Sequence, residues 1–503
     1  MPVRIPEAIA RGRTLAGCAG QRLFDGSVLT SAVDFAAFSA RTFALSPLAD
    51  SQDCFAQVEE GRIATDRFDF RFDIKSGRIT SLVDLRSGRE LVDPDSEDEL
   101  GDFLFIETVD KQRPDYAKNR AAALSVEVLK GPLAVTLLRK EYEPESRAKI
   151  TTAVTLYCDM PQIDIESRFE DATGALLGTH SDRYRKNIFY AFPLNVPDFR
   201  FLTEMSLGWI DERTERLPLR AQDFVIAKDA VRVVTDDGAH GILLTSRDMP
   251  VFHLGDIHYQ QFNQYMQLSS SRVYVYAASN RCVQITADTP EECQGAYQFS
   301  LLPYAMDERD GLCQQVDRLT LRPLALEGAL ETGDLVRLEA PASVRLCALF
   351  PVGENGQWLL RVRECAGYAG RASARLPFEI QSARYAGIAG DQTDRFASAA
   401  GHCVEFIAEL RAYTTLLLES DMKAEASPAA VDEDKVKNVF WYAGHDGKTI
   451  VCWEKARPFA EGRYIIRHDG VPVKEVAADP FSTQFATVDA PYRDSFSVEY
   501  REE

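Results

Sequence analysis

The sequence has few of the short motifs that mark soluble enzymes. Its ten cysteines are scattered singly and form no C-x-x-C pair, so neither a zinc knuckle nor a thiol–disulfide redox motif is indicated. It contains no Gly-x-Ser-x-Gly elbow, phosphate-binding loop or dinucleotide fingerprint. The organisation of the chain, and not a catalytic signature, therefore carries the information on function.

Long hydrophobic runs are also missing. No apolar stretch approaches the roughly 20 residues that a membrane-spanning helix needs. The N-terminal segment, MPVRIPEAIARGR, has no apolar signal core. Several cysteines fall within apolar, strand-like runs, where a thiol behaves as a small hydrophobic group. These features predict a cytoplasmic protein.

The chain also has no excess of positive charge. The chain has 77 acidic and 57 basic residues, which gives a formal net charge of -20. Such a charge repels phosphate backbones and anionic lipid, so neither nucleic acid nor a membrane surface is expected as a partner. On this argument a neutral or cationic ligand fits better.

Apolar residues alternate with polar ones in many short segments, whereas apolar residues at helical spacing are scarce. In RFDFRFDI, residues 67–74, the apolar side chains of Phe68, Phe70, Phe72 and Ile74 alternate with charged ones, which predicts a strand with one buried face. Similar short segments, separated by turn residues, recur along the chain. The fold class predicted is all-β, with a large antiparallel β-sandwich and smaller β-sandwich domains.

Turns and composition shifts divide the chain. We predict a small N-terminal β domain at 1–54, the large sandwich at 55–305, a second sandwich at 306–420 and a linker at 421–432, where the sequence is small, polar and proline-bearing. Residues 433–503 contain TIVCWEK, GRYIIRHDGVPV and DSFSVEYRE, and they resemble a fibronectin type III-like sandwich.

A family resemblance spans roughly residues 15–420. The segments that carry it are KSGRITSLVDLRSGREL, NIFYAFPLNVP, ERLPLRAQDFVIAKDAVRVVTDDGAHGILLTSRDMPVFHLGDIHY, GAYQFSLLPY followed by LTLRPL, and WLLRVRECAG. In their order and spacing they resemble the non-catalytic C-terminal half of glycoside hydrolase family 38, the class II α-mannosidases of bacterial type. The resemblance implies that the large sandwich is galactose mutarotase-like.

The same resemblance implies a division of function. Family members carry a zinc site on a β/α barrel, followed by a three-helix bundle, and both precede the part that this chain resembles. A complete enzyme would hydrolyse α-mannosides with retention, using a zinc-assisted aspartate nucleophile. In this chain we expect no catalytic residue, no metal ligand and no cofactor, with zinc only in the missing catalytic domain. The expected partners are an α-mannoside-type carbohydrate and an upstream catalytic-domain polypeptide.

Two other functions stay open. The chain could be a stand-alone carbohydrate-binding or assembly module with no enzymatic partner. A weaker third option is an independent mutarotase-like or lyase-like enzyme with an acid/base pair on the concave face of the sandwich. Paired carboxylates for such chemistry cannot be recognised by spacing, because their separation is a tertiary property.

Candidate sugar contacts lie in and after VFHLGDIHY. Asp256 and His258 fall on one face of an extended segment, and Tyr259 could stack on a pyranose ring. The alternative is a polar strand end satisfied by local hydrogen bonds. Asn280 lies where the family has an asparagine-rich strand with a tryptophan, although Cys282 occupies the tryptophan position here.

The spacing of His180 and Asp182 matches the first metal ligands of the family. In the family that pair ends a barrel strand, whereas here it is predicted to lie in a loop of the sandwich. One histidine and one carboxylate are also too few, because zinc takes three protein ligands even at an open site. We therefore do not interpret this pair as a metal site.

Overall fold

A computed structural model gives the fold. It describes residues 3–31, 39–49, 54–108, 116–144, 146–158, 160–171, 185–215, 224–257, 268–279, 293–305, 311–321, 323, 325, 328, 333–334, 336–352, 356–387, 391–422, 436, 439–443, 448–453, 462–477, 484–490 and 495–502. The chain divides into two compact units. The first comprises 1–350 and 358–421, and the second comprises 351–357 and 422–503.

The N-terminal segment of the first unit consists of short strands and one helical turn. These elements are β1 (Val3–Ile5), α1 (Glu7–Ala10), β2 (Arg13–Leu15), β3 (Gly20–Arg22), β4 (Val28–Thr30), β5 (Ser39–Ala40) and β6 (Leu45–Pro47). They form a sheet in the order β1-β4-β3 and a β2-β6 pair. A turn, in which the Gly26 amide donates to the Leu23 carbonyl at 3.1 Å, joins β3 to β4.

The large sandwich follows, with strands β7 (Gln57–Glu59), β8 (Arg62–Ala64), β9 (Phe68–Phe72), β10 (Ile79–Asp84), β11 (Arg89–Glu90), β12 (Asp102–Thr108), β13 (Tyr116–Arg120), β14 (Ala122–Leu129), β15 (Ala134–Tyr142), β16 (Lys149–Tyr157), β17 (Ile163–Asp171), β18 (Arg185–Phe192), β19 (Phe199–Met205), β20 (Gly208–Asp211), β21 (Val225–Ile226), β22 (Ala230–Thr235), β23 (His240–Ser246), β24 (Val251–Leu254), β25 (Val273–Ser279) and β26 (Cys293–Ala305). Neighbouring strands pair antiparallel, in three sheets. Their orders are β11-β10-β9-β8-β7, β13-β12-β18-β25-β24-β21 and β14-β15-β16-β17-β26-β23-β22-β19-β20.

An aromatic core lies between the six- and nine-stranded sheets. The rings of Tyr190 and Phe192 on β18 each lie 5.1 Å, centroid to centroid, from Phe299 on β26. The core continues into the five-stranded sheet, where Phe68, Phe70 and Phe72 are buried as the alternation predicts. The predicted all-β fold with a large antiparallel sandwich is thus confirmed. The sequence pattern was wrong only for Ile74, which lies beyond the end of β9 and is 47% exposed.

The rest of the first unit is a helix and a smaller sandwich. Its elements are α2 (Leu312–Thr320), β27 (Gly333–Asp334), β28 (Arg337–Glu339), β29 (Val344–Val352), β30 (Gln357–Glu364), β31 (Gly370–Arg375), β32 (Ser382–Ala386), β33 (Gln392–Phe396), β34 (Ser398–Ala400), β35 (Cys403–Ala408) and β36 (Tyr413–Glu419). Two sheets, β28-β31-β35-β34 and β29-β30-β36-β32-β33, enclose a separate core.

Helix α2 was not predicted, because nine residues give too short a pattern to stand out among strands. Its buried face contains Leu312, Val316 and Leu319. This face packs on the outer surface of the nine-stranded sheet, against side chains that include Leu243 and Leu302. The helix therefore covers part of the sheet face that points away from the sandwich core.

The second unit has strands β37 (Phe440–Ala443), β38 (Thr449–Trp453), β39 (Gly462–His468), β40 (Val471–Ala477), β41 (Gln484–Val488) and β42 (Phe496–Glu502). They form sheets β37-β38-β41 and β40-β39-β42 around Trp453, Tyr464 and Tyr500. The fibronectin type III likeness stays a prediction, and most of the predicted linker lies outside the described residues. No helix among the described residues is both long and apolar enough to span a bilayer.

Gln21 attaches the N-terminal segment to the large sandwich. Its side-chain oxygen accepts hydrogen bonds from the backbone amides of Leu133 and Ala134, at 3.0 and 2.9 Å, and its amide donates to the Ala134 carbonyl at 2.8 Å. Gly131 lies directly against this side chain, where an added Cβ would be 2.1 Å from Gln21 Cδ. The close approach requires glycine at position 131.

A buried ion cluster joins the large sandwich, α2 and the second sandwich. Glu204 on β19 accepts a hydrogen bond from Arg345 on β29 at 2.9 Å and lies 3.7 Å from the guanidinium of Arg363 on β30. Arg345 also pairs with Asp317 on α2. Glu204, Arg345 and Arg363 are at most 4% exposed. Because three strands and α2 supply the charges, the cluster fixes where α2 lies on the sheet.

Replacing Arg345 with alanine should destabilise the first unit by about 3–5 kcal/mol, since Glu204 would stay buried without its hydrogen-bonded cation. Urea unfolding followed by tryptophan fluorescence measures this change. The matched control is Arg337→Ala, which breaks an exposed pair with Glu339 and should cost less than about 1 kcal/mol. Equal losses in the two variants would contradict the assigned role of the cluster.

Replacing Gly131 with alanine should displace Gln21, break its hydrogen bonds and cost about 1–3 kcal/mol. The N-terminal segment should then be cleaved faster in limited proteolysis. Gly311→Ala is the control, because an added Cβ at that position meets no atom within 4 Å. Unchanged cleavage of the Gly131→Ala variant would show that Gln21 does not hold the segment in place.

Candidate functional site

An open cleft of about 350 Å³ lies on the outer face of the nine-stranded sheet, between the N-terminal segment and α2. Its polar lining is contributed by Arg4, Asp25, Ser27, Tyr157, Gln162, Asp164, Arg168, Arg247, Gln298 and Arg318. Its apolar lining includes Leu29, Met160 and Leu319. The cleft combines many polar groups with smaller apolar surfaces, so it offers hydrogen-bond donors and acceptors to a polar ligand.

Strand alternation places the polar residues on the floor of the cleft. On β17, Ile163 and Ile165 point into the sandwich core, so Asp164 and Arg168 point outward. The neighbouring strand β26 follows the same rule, with Phe299 inside and Gln298 outside. The antiparallel register, in which Asp164 is opposite Ser300, brings the outward side chains of both strands together.

Asp164 is the buried carboxylate of the cleft floor. It accepts hydrogen bonds from Tyr157 at 2.7 Å, from Ser300 at 2.6 Å and from Gln162 at 3.1 Å. Only neutral donors appear among these contacts, and Asp164 is 3% exposed. This arrangement fixes the orientation of Tyr157 and Gln162, two groups that can bond to a ligand.

One wall of the cleft is built from alternating charges. Arg4 donates to Asp25 at 2.7 Å and to Ser27 at 2.8 Å, and it pairs with Glu166. Arg168 approaches the same Asp25 oxygen at 3.4 Å. Burial would raise the pKa of Asp25, but hydrogen bonds from Ser27 and the charge of Arg4 lower it below its ordinary value. Asp25 is therefore ionised and its charge is compensated within the wall.

The lining of the cleft also includes Arg247, which follows β23, and Arg318 in the last turn of α2. Arg247 donates to the side-chain oxygen of Gln298 at 3.2 Å. Both guanidinium groups are exposed to solvent. Sequence reasoning did not identify any residue of the cleft. Its only sign was the alternation of Asp164 and Glu166 with isoleucines, which is equally typical of a solvated strand face.

The structure describes one of the four predicted contact residues. Asp256 is exposed, follows β24, and accepts a hydrogen bond from the Ile257 amide at 2.7 Å. His258, Tyr259 and Asn280 lie outside the described residues, as do His180 and Asp182. Asp256 is not among the residues that line the cleft. Its role as a sugar contact stays a prediction.

His253, from the same sequence segment, is part of an aromatic group on the outer face of the six-stranded sheet. It is 5% exposed, and its ring lies 4.9 Å, edge to face, from Phe189. The ring of Tyr276 stacks on Phe189 at 4.8 Å, and its hydroxyl donates to Asn187 at 2.9 Å. Aromatic packing of this kind accounts for His253 without a ligand.

Asp256 lies near a second group of charges. Tyr274 donates to Asp98 at 2.8 Å, and Arg120 pairs with Asp98 at 2.9 Å. Burial first, and then the charge of Asp98, raises the pKa of Tyr274, and Asp256 contributes to the same shift. Across the described residues, no three His, Cys, Asp or Glu side chains are grouped as metal ligands would be.

Glu99 has the carboxyl group most displaced toward neutral pH in this region. Burial, and secondarily the charge of Asp102, raise its pKa to about 7 although Arg78 pairs with it at 2.9 Å. A carboxyl group with such a pKa binds a proton more tightly in the folded chain than in the unfolded one. Folding is therefore favoured at acidic pH by this group.

Comparison with known proteins identifies the fold. No protein-family model and no curated protein matches the sequence. The crystal structure of an alpha-mannosidase from Enterococcus faecalis V583 matches with a TM-score of 0.55 and 11% identity, over 81% of this chain and 49% of that chain. A protein in glycosyl hydrolase family 38 from Enterococcus faecalis matches with a TM-score of 0.55 and 10% identity, over 83% and 56%.

The predicted resemblance to family 38 structures is therefore confirmed at the level of fold. This chain spans about half the length of each matched chain. Identities of 10% and 11% establish the shared fold alone.

Replacing Glu99 with glutamine should make stability less dependent on pH. In the wild type, the contribution of Glu99 is present below pH 4.5, its ordinary pKa, and is lost as the pH rises through about 7. The variant has no proton to lose at this position. As the pH rises from 5 to 8, the free energy of unfolding of the variant should therefore increase by up to about 2 kcal/mol relative to that of the wild type.

Urea unfolding at a series of pH values between 5 and 8 measures this gain. Glu97→Gln, at an exposed position two residues away, is the control, and its free energy of unfolding should change with pH as that of the wild type does. If the stability of Glu99→Gln changes with pH as that of the wild type does, the pKa of Glu99 is not raised in the folded chain.

Proposed function

We propose that this chain is the carbohydrate-binding and structural part of a family 38-type α-mannosidase, and that its cleft binds α-mannoside glycans. The observation that carries the proposal is the polar cleft on the outer face of a sandwich whose fold is shared with family 38 structures. Tyr157, Gln162 and Gln298 supply donors and acceptors that suit sugar hydroxyls. Apolar surface such as that of Met160 suits the C–H faces of a pyranose.

We further propose that catalysis depends on a partner. In family 38 a zinc-bearing β/α barrel precedes the part that this chain resembles, and this order supports an upstream catalytic-domain polypeptide as the partner. In this arrangement the chain supports the barrel and holds the glycan near it. The cytoplasmic location and the fibronectin type III nature of residues 433–503 belong to the same proposal. Six described strands around Trp453 and Tyr464 support the second of these.

Glycan binding can be measured by titration calorimetry with α-linked manno-oligosaccharides. Tyr157→Phe and Gln162→Ala should each weaken binding about fivefold, because each removes a hydrogen bond worth about 1 kcal/mol. Tyr368→Phe and Gln314→Ala are the matched controls, since both residues are exposed and neither lines the cleft. Binding that is equally strong in all four variants would place the glycan outside the cleft.

The catalytic part of the proposal needs an activity assay. Purified chain should be incubated with an aryl α-mannoside, with and without zinc, and then with the candidate upstream polypeptide. Turnover only when that polypeptide and zinc are both present supports the partnership. Turnover by the chain alone would refute its non-catalytic role. Glycan binding with no gain from the partner would favour a stand-alone binding module.

A further inference from the structure

The cleft and the whole chain differ in charge. The chain carries a formal charge of -20, whereas the described residues that line the cleft include four arginines and two aspartates. Glu166 pairs with Arg4 and adds one more negative charge. The charges of these described side chains therefore sum to one excess positive charge. Ligand recognition depends on this local balance, because charges farther away than about 10 Å are largely screened.

Two of the four arginines are already compensated by protein carboxylates. Arg4 pairs with Asp25 and Glu166, and Arg168 lies 3.4 Å from Asp25 and 4.0 Å from Glu166. Both also lie over the Phe24 ring, at 5.9 and 5.7 Å from its centroid. The two positive charges are thus balanced by two negative ones, and both guanidinium groups pack on the same ring. These two arginines have little capacity left for a ligand anion.

Arg247 and Arg318 differ in this respect. Within the part of the chain that the structure describes, neither guanidinium has a carboxylate at ion-pair distance, and the side chain of Arg247 bonds to the neutral Gln298. The two residues come from separate elements, the turn after β23 and the helix α2, and both line the same cleft. A single exposed arginine would not indicate a binding site, but two uncompensated arginines in one polar cleft provide a pair of cations.

The carboxylate on the cleft floor does not cancel this pair. Asp164 is buried, and its oxygens already accept hydrogen bonds from Tyr157, Gln162 and Ser300. Arg247 and Arg318 therefore remain available to an external anion. A guanidinium binds carboxylate, sulfate or phosphate oxygens through two parallel N–H groups, which gives geometric selectivity as well as attraction.

We propose that the cleft selects glycans that carry an anionic substituent, and that Arg247 and Arg318 bind that substituent while Tyr157 and Gln162 bind neighbouring hydroxyls. This inference rests on the proposed function, namely that the cleft binds carbohydrate. It differs from the expectation drawn from the net charge of the chain, which favoured a neutral or cationic ligand. The shared chemistry is a tetrahedral or planar oxyanion on a sugar, so a uronate, a sulfate ester and a phosphate ester all qualify.

The test is a set of matched titrations on the full chain. The ligands are neutral manno-oligosaccharides and the corresponding mannuronate, 6-sulfate and 6-phosphate compounds, each at 50 mM and 300 mM salt. At low salt the best anionic glycan should bind at least about tenfold more tightly than the neutral one, with an advantage that shrinks at high salt. Which anion binds best distinguishes a carboxylate from a sulfate or phosphate.

Variants connect the preference to the two arginines. Arg247→Gln and Arg318→Gln should each reduce the anionic-to-neutral affinity ratio about fivefold or more. Arg337→Gln, an exposed arginine on β28 outside the cleft, is the control and should leave the ratio unchanged. Circular dichroism before each titration confirms that the variants are folded.

The outcomes separate this inference from the proposed function. If neutral and anionic glycans bind equally, or if the arginine variants leave the ratio unchanged, the anionic preference is refuted and glycan binding stands. If no glycan binds, both are refuted. If inorganic phosphate alone binds as tightly as the sugar phosphate, the ligand is an anion without a sugar, and both are again refuted.

Discussion

The aromatic contact across the large sandwich is the interaction on which the other features depend. Tyr190 and Phe192 on one sheet pack against Phe299 on the other, and this contact determines which face of each strand is buried. Because side chains alternate along a strand, burying Phe299 forces Gln298 and Ser300 to the opposite face. The polar floor of the cleft is thus a direct consequence of how the core is packed.

Polar contacts hold α2 and the N-terminal segment beside the floor of the cleft, and the buried charges among these contacts carry a desolvation cost. Glu204, Arg345 and Arg363 are buried charges, and burial raises the pKa of Glu204 despite the nearby arginines. A buried ion cluster contributes little net stability, because desolvation offsets attraction. Its value here is geometric: it fixes α2 on the sheet and so positions Arg318 beside the cleft. Gln21 does the equivalent for the N-terminal segment and the wall that contains Arg4.

The net charge of the chain and the local charge of the cleft have different consequences. A net charge of -20 describes solubility and long-range repulsion of phosphate backbones. It does not describe a cleft in which arginines from β1, β17, the turn after β23 and α2 converge. Similarly, Cys313 and Cys365 are far apart in sequence and suggested no pair. In the folded chain the two thiols nevertheless interact, and this interaction lowers the pKa of Cys313 and raises that of Cys365.

The sequence by itself determined the local structure. Alternating Phe68, Phe70 and Phe72 predicted a half-buried strand, recurring alternation predicted an all-β fold, and the order of several segments indicated the family 38 resemblance that the fold comparison confirmed. Alternation is a local property, so neighbouring residues are enough to reveal it. The cleft was decided only by the tertiary structure. The cleft is lined by residues from two strands, a turn and a helix that are distant in sequence, such as Arg4, Asp164, Arg247 and Arg318. Their meeting depends on register and packing that no short segment encodes.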